Sequence, residues 1–298
     1  MDIRHLKYFE SVVRHKNFSK AAEELHVSQP SLSNTIKSLE KELGCKLLER
    51  TTREVGLTES GAVFYQHVLG ILSQFEHVQK EMKEVKYTGA GTLKIGIIES
   101  SKYWIPKIII KIRNKYPNVH IKIKEMIGMR DIEEALNRHD VHLSIAPQKI
   151  EHSHLKFIPI YNEEYVLVTP QNHPFCHLKS INLSGLENEN LILSQPGYPS
   201  YQKITEACRT AGFDPKSTYE VERLEMACSL AEAGLGVSIL PENYLKYSSL
   251  SGINILKLTN PTPNRMVYMA YHSNRYLPPV VQDAMSYIIH FFKRDNEA

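Results

Sequence analysis

A chain of 298 residues, 42% hydrophobic and 23% charged, is long enough for two or three domains with proper cores and too ordinary in composition to be fibrous or disordered. A net charge of +3 permits a nucleic-acid partner without requiring one, and the densest apolar run, Ile108–Ile110, is bounded by Lys107 and Lys111, far short of a membrane span. The opening MDIRHLKYFE has no apolar signal segment, so a cytoplasmic protein is expected, in which Cys45, Cys176, Cys208 and Cys228, without metal-ligand spacing, stay reduced.

Leu6, Phe9 and Val13 mark one face of a first helix. The stretch from Ser19 to Leu43 reads as two more helices joined by a tight corner. Ser19 is the expected N-cap of the first, with Ala22 and Leu25 inward; Ser28 caps the second, with Pro30 in its first turn. In that last helix Leu32, Ile36, Leu39 and Leu43 share one buried stripe, while Ser31, Ser33, Asn34, Lys37 and Lys41 form the other face. Short hydrogen-bonding groups backed by cations suit a helix that reads a DNA groove, and a solvated surface helix is the plainer alternative. Three helices make a unit of helix-turn-helix size, closed by Gly44 in a C′ position. Residues 45–58 then carry two strand-like pieces around Thr51–Arg53, a hairpin or wing with Arg50 and Arg53 placed to reach a phosphate backbone or minor groove.

Thr58 is the next expected N-cap. After it Phe64, Val68, Ile71, Phe75, Val78, Met82 and Val85 recur in steps of four and three, a heptad seam on a helix from Glu59 to Lys86 about 40 Å long at 1.5 Å per residue. A seam of that length predicts a dimer coiled coil; the alternative is a helix lying on the rest of the chain. Residues 87–91, YTGAG, then read as a hinge.

These features together resemble the LysR-type transcriptional regulators. The residues that carry the likeness are Leu6 and Phe9; Phe18–Ala22; Val27–Ser33; Ile36 and Leu39-Glu40; Leu43-Gly44, Leu48, Arg50, Leu57-Thr58 and Gly61. The resemblance implies that the helix bearing Ser28, Gln29, Pro30, Ser31, Ser33, Asn34 and Lys37 enters the major groove of promoter DNA, with Arg53 in the flanking groove. Thr35 stands where relatives often carry glutamine. The fold class implied is a multi-domain α+β protein: a winged helix-turn-helix (1–58), a linker helix and hinge (59–91), and a two-lobed, periplasmic-binding-protein-like effector domain (92–298).

The C-terminal two-thirds alternates short strands and helices, as a mostly parallel sheet with helices on both faces would. Strands are expected at 93–98, 119–123 and 141–145, then 165–168, 191–193, 219–222, 237–240, 253–258 and 266–271, with a last helix from Pro279 to Lys293. Lobe I would hold 92–161 and 266–298 and lobe II 162–265, with crossings near Tyr161 and Arg265. Ligands of such paired α/β halves bind at the carboxyl ends of the strands. Ser100 and Ser101 end the first strand as a candidate anion site. Met129 and Arg130 follow the second strand, where Arg130 could pair with a carboxylate, and Gln148 follows the third. Tyr198 and Ser200 face them from the second half.

No catalytic constellation, phosphate loop or metal-spaced histidine set is present in the sequence, so the expectation is a non-enzyme without cofactor or metal. The resemblance implies a homotetramer, a dimer of dimers, in which a small anionic effector between the lobes changes promoter binding or bending and the access of RNA polymerase. A redox sensor using Cys208 and Cys228, and a solute-binding protein, are the alternatives.

Overall fold

The computed structural model describes residues 1–50, 55–86, 91–246 and 252–295, without the side chains of residues 50, 77, 80, 81, 83–86 and 293–295. Arg53 and the side chains of Arg50 and Val85 therefore lie outside the described residues. The chain forms two compact units, Met1–Lys83 and Glu84–Ala298.

In the first unit α1 (Ile3–His15), α2 (Phe18–Glu24) and α3 (Gln29–Leu43) precede the hairpin of β1 (Leu48–Arg50) and β2 (Val55–Leu57) and the long helix α4 (Glu59–Lys86). Asn17, not Ser19, caps α2, because the helix begins a residue before Ser19: the Asn17 side chain accepts from the Ser19 and Lys20 amides. Ser28 caps α3 as expected, and Gly44, at φ +71°, ends it in the left-handed region that glycine enters freely. Leu6, Phe9, Val12, Ala21, Ala22, Leu32, Ile36 and Leu39 fill the core. Leu43 departs from the expected stripe, being 37% exposed in the last turn before Gly44.

Two contacts seat the hairpin. The Glu40 carboxylate, 6% exposed, accepts from the Leu47 and Leu48 amides at 2.9 and 3.2 Å and pairs with Lys46. A Cβ on Gly61 would lie 1.9 Å from the Leu47 carbonyl oxygen, so only glycine lets the first turn of α4 approach this backbone. Thr58 bridges the same joint, accepting from the Gly61 amide and donating to the Lys46 carbonyl.

The expected seam on α4 is divided. Val68 is fully buried in this unit's own core, and the Phe64 ring lies 5.2 Å from that of Phe9. The start of α4 thus completes the helix-turn-helix core, and Val68 is corrected from a partner-facing to an internal role, while Phe64 is half-buried against Phe9. Phe75 is half-buried with the Lys7 ammonium 5.7 Å from its ring. Ile71, Val78 and Met82 stay 44–54% exposed.

The second unit runs β3 (Thr92–Ile97), a 3₁₀ turn (Glu99–Tyr103), α5 (Ile105–Lys115), β4 (His120–Glu125), α6 (Met129–Asn137) and β5 (Leu143–Ala146) into β6 (Leu155–Pro170). It continues through β7 (Ser180–Asn182), β8 (Leu191–Ser194), α7 (Pro199–Thr210), β9 (Tyr219–Val221), α8 (Leu224–Glu232), β10 (Val237–Pro241), α9 (Glu242–Leu245), β11 (Ile253–Thr259), β12 (Asn264–His272) and α10 (Pro279–Asp295). The strand order is β4-β3-β5-β12-β6-β10-β8-β9, with β11 on β6 and β7 on β11. Neighbours β4-β3-β5 and β10-β8-β9 are parallel, while β6 and β12 run antiparallel to theirs.

The sixteen residues of β6 span both lobes: its first half pairs with β12, its second with β10 and β11. Only 165–168 were expected as strand, because Lys156, Pro159, Asn162, Glu163 and Glu164 interrupt the apolar pattern before them. One core fills the first lobe, including Trp104 and α10; the second lobe has cores on both faces of its sheet.

Candidate functional site

The exposed face of α3 carries Ser28, Gln29, Pro30, Ser31, Asn34 and Lys37. Their side chains stand opposite the stripe that fixes the helix, so the surface is polar and held rigidly. Ser33 is corrected: at 8% exposure it lies beside Leu32 and one turn before Ile36, inside the unit rather than on the reading face. The Thr35 hydroxyl donates to the Ser31 carbonyl at 3.0 Å and is spent within its own helix. Arg50 ends β1 opposite Val55.

The second unit has its polar centre where the lobes meet. Ser100 and Ser101 are both fully buried. Ser100 Oγ accepts from Arg265 Nη2 at 3.2 Å and lies 3.3 Å from the Tyr161 hydroxyl, and the Ser101 amide donates to the Ile98 carbonyl. In this closed cleft neither serine forms an open anion site; both lie in the wall behind the cavity. Arg265, 4% exposed, is the hub: Nε donates to Glu163 Oε2 and Nη2 to Glu99 Oε1, each at 2.8 Å, with the guanidinium carbon 5.5 Å from the Tyr165 ring. Burial disfavours its charge, but Tyr165, Glu163 and Glu99 more than restore it. Burial raises Glu163 above the usual carboxylate range; Arg265 opposes this, while Glu99, sharing the same cation, adds to it.

In front of this wall lies a cavity of about 40 Å³, walled by both lobes. Glu99, Glu125, Met126 and Ile127 supply one side, Tyr198, Ser200, Glu222, Arg223 and Glu225 the other. The lobes touch across it. Arg223 Nη1 donates to Glu125 Oε2 at 2.9 Å, Lys102 lies 3.8 Å from Glu225, and a Cβ on Gly128 would meet the Tyr198 ring at 3.7 Å. The Tyr198 hydroxyl donates to Glu222 Oε1 at 3.1 Å. A space this small holds a water or two, so this is a closed cleft that must widen to admit a metabolite.

Of the expected effector residues, Tyr198 and Ser200 line this cavity. Arg130 does not: its side chain is 90% exposed and pairs along α6 with Glu134 at 3.3 Å. Met129 packs on the first lobe's core, and Gln148, half-buried beyond β5, is absent from the lining. The residues missed were Glu99, Glu125, Glu222, Arg223 and Glu225 on the walls, and Tyr161, Glu163 and Arg265 behind them. The signal for the last group was the period of two in Tyr161, Glu163 and Tyr165, which sets a carboxylate between two aromatics on one strand face.

Cys208 and Cys228 are buried in different cores of the second lobe, and burial pushes each thiol up to about 11. Thiolate, the oxidisable form, is scarce at such sites. Among the described residues no group of three histidines, cysteines or carboxylates could hold a metal ion, and no helix is long and apolar enough to cross a membrane.

Two family models match the chain. Residues 3–62 match the bacterial regulatory helix-turn-helix protein, lysR family, and residues 88–293 the LysR substrate binding domain. AlsR, an HTH-type transcriptional regulator of Bacillus subtilis (strain 168), is 31% identical over 281 residues, 93% of this chain and 92% of its own length. BenM of Acinetobacter baylyi (strain ATCC 33305 / BD413 / ADP1) is 31% identical over 279 residues, 91% and 90% of the two chains. A crystal structure of full-length CbnR complexed with its target DNA superimposes with a TM-score of 0.68 over 97% of this chain and 99% of that one; at 22% identity this is a likeness of fold.

Proposed function

Because this chain belongs to the LysR family of bacterial transcriptional regulators, we propose that α3 reads a promoter sequence and that a small metabolite entering the interlobe cleft changes how the DNA is held. It is a DNA-binding regulator with an effector-binding domain, not an enzyme. In the proposed complex Gln29, Ser31 and Asn34 meet base edges, while Lys37 and the wing arginines Arg50 and Arg53 meet phosphates. The observation that carries this reading is the rigid polar face of α3 standing opposite its buried stripe.

The exposed residues Ile71, Val78 and Met82 of α4 support pairing of two chains, and two such dimers form the tetramer. Two-fold pairing of reading helices calls for a partly palindromic site. The effector shifts the population between closed and widened clefts, which alters the spacing or bend of the bound DNA and the access of RNA polymerase. The AlsR and BenM names, each of an HTH-type transcriptional regulator, support the DNA reading by kinship.

Selection of random duplexes with the full chain tests it. An interrupted palindrome should emerge, and Gln29→Ala or Asn34→Ala should relax its consensus. Recovery of no consensus sequence would overturn the reading.

A further inference from the structure

The charge of the cleft runs opposite to the anionic effector expected from sequence. Four carboxylates, Glu99, Glu125, Glu222 and Glu225, line the cavity against one lining cation, Arg223, with Lys102 at the edge 3.8 Å from Glu225. Arg223 is already committed to Glu125 at 2.9 Å, and the deeper Arg265 is shared between Glu99 and Glu163. Glu222 takes one hydrogen bond, from a neutral phenol. An anion entering here would draw Arg223 away and leave Glu125 without its partner, whereas a cation compensates the carboxylate that Arg223 leaves as the lobes part.

Resting on the reading of this cleft as the effector site, we infer that the effector is a small aliphatic amine or guanidine. Its cationic head is received by Glu222 and Glu99, and the Tyr198 ring supplies an aromatic edge. Met126, Ile127 and Leu224, also in the lining, receive a short hydrocarbon stem. Binding separates Arg223 from Glu125 as the lobes widen, so the ligand's charge replaces the guanidinium that holds the empty cleft shut.

The test is a thermal-shift titration of the full chain at fixed ionic strength. The cationic probes are putrescine, agmatine and butylamine; the anionic ones are succinate, citrate and butyrate. At least one cationic probe should raise the Tm and no anionic probe should. The apparent Kd of that probe should weaken about tenfold in Glu222→Gln, an exposed site whose change spares the core, and similarly in Glu99→Gln. No shift with any cationic probe, or a shift unchanged in both variants, overturns the inference. An anion that stabilises the wild type but not Arg223→Ala would reverse the charge class and leave the cleft reading standing. An anion whose affinity is unchanged in Arg223→Ala, Tyr198→Ala and both glutamine variants would overturn the cleft reading as well.

Discussion

Arg265 donates to Glu99 at 2.8 Å across 166 residues of chain, tying strand β12 to the turn that walls the cleft. The same guanidinium holds Glu163 on β6, so one buried cation joins both crossing strands to the ligand-facing edge. Arg265→Ala leaves two carboxylates, one of them fully buried, without their cation. It should destabilise the second unit by about 3–5 kcal/mol, read as a drop in the denaturant midpoint of the full chain's effector-domain transition. A midpoint within experimental scatter of the wild type would remove Arg265 from the role of structural hub.

The carboxyl of Glu163 makes this stability depend on pH. Its folded pKa is raised above the ordinary 4.5, so the folded protein binds more protons than the unfolded chain in the window between the two values. The associated stability is fully present below 4.5 and is lost as pH rises through the raised value. Glu163→Gln, which stays neutral, should therefore gain on the wild type as pH rises above 4.5 and through the raised value. The Tm difference between the two proteins checks this, and a difference that does not vary with pH counts against it.

Glu40 has the opposite sign. Burial opposes its charge, but the Leu47 amide, Lys46 and the Leu48 amide outweigh burial, and its pKa is lowered. Its contribution is present above the ordinary carboxylate value and is lost as pH falls through the lowered one. Glu40→Ala should cost about 1–3 kcal/mol, since it orphans the two amides that start the wing. Retained wing-dependent DNA affinity together with unchanged stability would show that another contact seats the hairpin.

Neighbouring positions on α3 should separate cleanly. Asn34→Ala should broaden sequence preference with little change in Tm, because its side chain is exposed. Ser33→Ala, at a buried position, should leave the preferred base sequence as it was. Duplex selection run with both variants decides; a changed consensus for Ser33→Ala would mean that α3 sits on DNA on another face.

Helix α4 should divide in the same way. Val68→Ala opens a cavity in the helix-turn-helix core and should cost roughly 1.5–3 kcal/mol. Val78→Asp and Met82→Asp, at exposed sites, should lower the oligomeric state seen by sedimentation without lowering the first unit's Tm. Unaltered sedimentation would exclude this stretch from the subunit contact.

Features that depend on neighbours along the chain could be read from the residues alone. Ser28, Gly44 and the capping bond of Thr58 act through atoms within three or four residues, so the caps and the helix ends they impose were legible without coordinates. The alternation of apolar residues likewise placed nearly every strand, and the grouped motifs from Phe18 to Gly61 pointed to the family. Packing between distant elements set which way the polar groups face. Ser33 and Val68 have unremarkable local patterns and are buried by other elements, while Arg130 turns outward to Glu134. The cleft changed most: Ser100 and Ser101 moved behind the wall, and carboxylates from 99, 125, 222 and 225 converged in front of it. Such convergence joins residues over a hundred positions apart, and the sign of a site's field is a sum over those residues, which no local window contains.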